Sequence, residues 1–120
     1  MGPDHVTRRH IEIKDGDATV AAADVSTPEE DQEPSRASLR AASGHVAPGR
    51  RSELVDSVLA LPEVRQGRRI EAAVPLGDSE SLDRLRDGLD DVSTRPAGST
   101  ALVDGVVPGP SAAKRLGEVD

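Results

Sequence analysis

No Phe, Tyr or Trp occurs among the 120 residues, and this constrains the fold more than any other feature of the chain. An aromatic side chain buries roughly 150–250 Å² and commonly anchors the core of a small domain. Without one, the core has to be assembled from Leu, Val, Ile and Ala, each of which removes less apolar surface from water. Modest stability follows, and burial against a second copy or a partner would relieve the shortage. The length suits one domain rather than two, and the apolar share of 35% implies that part of the chain lies outside the core.

Charge narrows the functional classes. With 22 acids against 15 bases the net charge is −7, which argues against a general nucleic-acid binder and against docking on anionic membranes. A protein partner or a homodimer is the expectation. No cysteine is present, so disulfides and thiolate chemistry are excluded. The start, Met1-Gly2-Pro3-Asp4-His5, lacks a basic-then-apolar leader, and no apolar run approaches the roughly 20 residues of a membrane span. A cytoplasmic location is expected. Asn, Phe and Tyr are missing and only Lys14 and Lys114 represent lysine. These residues share AT-rich codons, which points to a GC-rich and therefore bacterial origin.

Residues 1–9 carry no pattern and read as a disordered N-terminus. His10 to Lys14 alternates apolar with polar residues, Asp15-Gly16 supplies a turn, and Asp17 to Val25 returns. Ile11 and Ile13 are expected to face inward, opposite Val20 and Ala22. Ser26 to Ser35 holds four acids between two prolines and no apolar residue, and reads as a flexible acidic loop. Ala37 to Ala41 alternates as a short strand closed by Ser43-Gly44. Ser52 to Leu61 has the helical spacing, with Leu54, Val55, Val58, Leu59 and Leu61 on one face and Pro62 as the stop.

Arg69 to Leu76 is the clearest strand, with Ile70, Ala72, Val74 and Leu76 on one side. A second helix opens at Asp78 or Ser79 as N-cap, carries Leu82, Leu85 and Leu89, and ends at Gly88. A hairpin follows from Val92 to Val103 around Pro96-Ala97-Gly98, and Asp104-Gly105 makes another turn. Residues 108–120 read as a flexible tail. Strands alternating with helices predict an α+β two-layer sandwich over residues 10–107, a mixed β-sheet with two helices on one face.

Residues able to carry chemistry are few. His5, His10 and His45 do not share a face and have no cysteine to complete a metal site, so no metal and no cofactor are expected. Ser43 and His45 stand too close in sequence for a triad, and no nucleophile elbow occurs. Asp83, Asp87, Asp90 and Asp91 look like the solvated side of the second helix. Gly77, Asp78 and Ser79 open a helix after a strand, where backbone N–H groups can hold an anion. Arg68 and Arg69, with Arg50, Arg51 and Arg65, are the basic residues that would serve such a site. The leading expectation is a non-enzymatic protein-interaction or regulatory module. The alternative is a small-ligand or nucleotide-binding domain using residues 77–81 and nearby arginines.

Overall fold

The computed structural model describes residues 6–29, 33–42, 46–64 and 67–108. Its elements run β1 (Val6–Asp15), β2 (Ala18–Pro28), β3 (Ser35–Ala41), α1 (Arg50–Leu59), β4 (Arg69–Pro75), α2 (Ser79–Gly88), β5 (Asp90–Ala97) and β6 (Thr100–Val106). The six strands form one sheet in the order β1-β2-β3-β4-β6-β5. Only β3 and β4 are parallel neighbours; the other adjacent pairs are antiparallel. A parallel pair needs a long crossover, and α1 provides it between β3 and β4. The expected mixed sheet with two helices is present.

Period-two alternation decides which face is covered. Ile70, Ala72 and Val74 are buried while Arg69 and Pro75 between and beside them are exposed. In β3, Ser35, Ala37 and Leu39 are buried and Arg36, Ser38 and Arg40 exposed. These inward residues meet Leu54, Val55 and Val58 of α1 and Leu85 of α2 in one aliphatic core. The helices pack on each other, and α1 also lies against β1 and β2. Among the described residues no helix lies on the opposite face of the sheet.

The ends of several elements differ from expectation for identifiable reasons. Val6 to Arg9, read as a loose end, extend β1 because they pair with Val25 to Pro28. Ser26 to Pro28 thereby leave the acidic loop and join β2. Inside the layer, Thr27 and Ser35 exchange a 3.0 Å hydroxyl hydrogen bond, so these buried polar groups are satisfied. The first hairpin turns on Gly16-Asp17, flanked by the pair Asp15↔Ala18, with positive φ at Gly16 but not at Asp17. That is the type II′ pattern, which needs glycine at the first central position. A bulge between Ile13 and Lys14 then shifts the register, so Ile11 and Ile13 oppose Ala23 and Ala21 instead of Val20 and Ala22.

Leu76, expected to point inward, lies past the end of β4 and is 47% exposed. Asp104-Gly105 is no turn; β6 runs straight through it. Gly105 is needed there because a Cβ would stand 2.9 Å from Leu89 Cβ and 3.2 Å from the Asp90 carbonyl oxygen. Gly88 closes α2 without positive φ and faces Leu59 Cδ1, which a Cβ would approach to 2.9 Å. It serves helix packing rather than a left-handed cap.

Candidate functional site

The register of the six strands aligns two rows of side chains on the open face. One row crosses all strands as Arg8, Ser26, Arg36, Glu71, Asp104 and Ser93. The next runs His10, Asp24, Ser38, Ala73, Leu102 and Arg95. Ser26, Ser38 and Ala73 are short, whereas the arginines around them are long. The result is a trough of about 580 Å³, floored by Ser38, Ala73 and Leu102 and rimmed by Arg8, Arg36 and His10. Its size falls in the range of natural binding clefts.

The electrostatics of this face are uneven. His10 Nδ1 donates to Asp24 at 2.7 Å and Nε2 to Glu12 at 2.9 Å. Hydrogen bonding to Asp24, then to Glu12, raises the His10 pKa above its ordinary value, and the same bonds lower both carboxylates. Arg40 completes the chain at 2.7 Å from Asp24. Arg36 reaches Glu71 at 3.3 Å. Among the described residues Arg8, Arg69 and Arg95 make no ion pair, and of the acids on this face Asp90 and Asp104 are in the same position. These three arginines outnumber the two acids, so the unneutralised charge is cationic, on a chain whose net charge is −7.

The residues singled out from sequence divide between two ends of β4. Gly77, Asp78 and Ser79 follow its C-terminal end, whereas Arg68 and Arg69 stand at its start. The structure does not bring them together. Asp78 is the N-cap of α2: it is buried and accepts from Ser81 N at 3.1 Å and Ser81 Oγ at 2.7 Å. Arg51 Nη1 lies 3.0 Å from Oδ1, the oxygen that also accepts from Ser81 N, as an ion-pair partner. The neighbouring Glu80 reaches across to the start of α1, where Gly49 supplies no side-chain cap. There Glu80 Oε2 accepts from Gly49 N, Ser52 N and Ser52 Oγ at 2.9–3.0 Å. Both helix N-termini thus hold the protein's own carboxylates, which take the place an external anion would occupy.

Arg68 is buried and its Nη2 donates to the carbonyls of Pro28 and Glu33 at 2.7 and 2.9 Å. It ties the two ends of the β2–β3 connection to β4. Arg69 is exposed on the open face beside Glu71 in sequence alternation. Arg50 pairs with Glu53 and Asp15, Arg84 with Asp56, Arg9 with Glu63, and Arg86 with Asp83. His5, Ser43, Gly44, His45 and Arg65 lie outside the described residues, as does the tail from 109. A metal ion needs converging lone pairs, but the two nitrogens of His10 face carboxylates on opposite sides; no metal-holding group occurs among the described residues. No helix among them is long and apolar enough to cross a membrane.

Sequence reasoning missed the trough. Ser38 and Ala73 were legible as outward positions of strands, but Arg8 and Ser26 fell in segments read as a loose end and a loop, Arg36 lay between that loop and the strand from Ala37, and strand order decides which outward residues become neighbours. No protein-family model matches the chain, and the comparisons with curated proteins and with solved structures give no match either.

Proposed function

We propose that this chain is a non-enzymatic protein-interaction module that binds its partner on the open face of the sheet. The trough over Ser38, Ala73 and Leu102 carries the reading. It is a depression with a small apolar floor and a polar rim, on a face that no helix among the described residues covers. The aliphatic core adds support, because a sheet with no aromatic residue gains stability from apolar surface buried by a second protein. The best-placed general base, His10, has both nitrogens held by carboxylates and no hydroxyl within its hydrogen bonds, an arrangement suited to a charged surface rather than to proton transfer.

Site-specific photo-crosslinking in the cell tests this reading. A photoreactive residue at Leu102 samples the trough, and one at Asp87 samples the exposed side of α2. The expected outcome is a discrete crosslinked protein from position 102 and none from position 87. A product of twice the chain mass would identify the partner as a second copy. Crosslinking from position 87 alone, or from neither, overturns the proposal. The partner is sought in the cytoplasm, the compartment expected from composition.

A further inference from the structure

Resting on that reading, we infer that the open face receives an acidic, extended segment of its partner, with an apolar residue flanked by carboxylates. Three observations converge. The first is the charge left over after internal pairing. Glu12, Asp24 and Glu71 are neutralised by His10, Arg40 and Arg36, while Arg8, Arg69 and Arg95 have no ion-pair partner among the described residues and outnumber the two acids in the same state, Asp90 and Asp104. An incoming carboxylate meets cations that need not give up an existing partner, so it loses less on desolvation than a lysine would. The remainder of the molecule is strongly acidic, which repels the same segment elsewhere and orients its approach.

The second observation is spacing. Arg8 on β1 and Arg95 on β5 are separated by five strand intervals, about 24 Å at ~4.8 Å each. An extended peptide of about seven residues has that length at ~3.3 Å per residue. Laid across the strands, its ends reach the two arginines while its middle residue sits between β3 and β4, over Ser38 and Ala73. The third is the floor itself. Ser38 and Ala73 leave room for one branched aliphatic side chain, and Leu102 supplies an apolar contact that is only half-buried without it.

The test uses a peptide labelled at its N-terminus, fluoresceinyl-Glu-Glu-Ser-Leu-Ser-Glu-Glu-amide, in anisotropy titrations at low and high salt. Its counterparts carry Lys in place of every Glu, or Ser in place of the central Leu. We expect saturable binding of the acidic peptide alone, weakened by salt. Arg8→Glu and Arg95→Glu should each weaken it by about five- to tenfold, the effect of losing one charge-assisted contact. Arg95→Gln, which removes the charge without reversing it, should weaken it in the same direction. Arg86→Glu on α2 should leave it within about twofold. Replacing the central Leu should weaken binding without changing the salt dependence.

Absence of saturable binding, equal binding of the Lys peptide, or an equal effect of Arg86→Glu overturns the inference. Thermal melting of each variant separates misfolding from lost contacts. If crosslinks from Leu102 persist while the acidic peptide fails, the partner chemistry is wrong and the interaction surface stands. If both fail, the surface itself is wrong.

Discussion

At the scale of single residues, the most informative group is His10. It bridges Asp24 and Glu12, and both contacts favour its protonated form. A pKa raised in the folded state means stability that is fully present below the ordinary value of 6.5 and is lost as pH rises through the folded value. Asp24 and Glu12 are lowered from 3.8 and 4.5, so their contribution is present above those values and is lost as pH falls through the folded ones. The cluster therefore stabilises most between about 4.5 and 6.5. NMR titration of the His10 ring should give a midpoint above its ordinary value, and Asp24→Asn should lower it. A midpoint indifferent to both Asp24→Asn and Glu12→Gln would show that the ring is not held as described.

Arg68 is the second residue whose role its sequence position did not reveal. As one of a run of arginines it looked like part of a basic patch, yet it is buried and spends its donors on backbone carbonyls of Pro28 and Glu33. The signal was hidden because nothing local distinguishes an arginine that clamps a distant loop from one that faces solvent. Arg68→Ala should cost about 1.5–3 kcal/mol, the range for hydrogen bonds from a charged group. Limited proteolysis should become faster between residues 28 and 34 in that variant. Unchanged stability in urea denaturation would count against the clamp.

At the scale of elements, the strands with clean alternation were legible and their ends were not. β4 and the faces of α1 and α2 followed from spacing alone, because a buried stripe in an otherwise polar segment has few competing explanations. β1 and β2 extend beyond their apolar parts because ladder pairing satisfies the backbone whatever the side chains are. Gly105 misled for the opposite reason: a glycine after aspartate resembles a turn, but here it makes room for Leu89. Gly105→Ala should destabilise by about 1–3 kcal/mol, as overpacking does. A stabilised variant would mean that the close approach is absent.

The capping of α1 shows the same dependence on distance in the chain. Glu80 resembles an ordinary first-turn acid of α2, and it is also the cap that α1 lacks. Glu80→Ala should cost about 1–2 kcal/mol, a cap's usual worth. Hydrogen exchange should quicken at Ser52 and Glu53 before it does in β4. Protection unchanged at the start of α1 would contradict this arrangement. On the other side of the sheet, β5 is exposed on both faces and ends an open edge. In a two-residue hairpin closed by Ala97↔Thr100, the pair Pro96↔Ala101 is the non-hydrogen-bonded kind, so the position of Pro96 faces outward. Proline there removes a donor that another strand would need, which discourages edge-to-edge pairing at β5.

For the molecule as a whole, the division of labour between the two faces is the central result. One face packs Val25, Leu39, Ile70, Val74 and Val103 of the inner strands against two helices, and both helix N-termini are closed by Asp78 and Glu80. The other face keeps Leu102 among short side chains, a trough, and arginines that make no ion pair among the described residues. Composition made the first half legible, since an aromatic-free chain has little choice of core. The second half depends on strand order, which brings Arg8 and Arg36 to the same row through Ser26 although 28 positions separate them in sequence.

The most direct measurement fills the trough and leaves the fold alone. Ser38→Trp places a large ring over Ala73 and Leu102 from an exposed strand position, where stability should change by less than about 1 kcal/mol. We expect a cooperative melt close to that of the parent protein and loss of the crosslink from Leu102. A variant that folds, fills the trough and still captures the same partner at full yield would contradict that expectation.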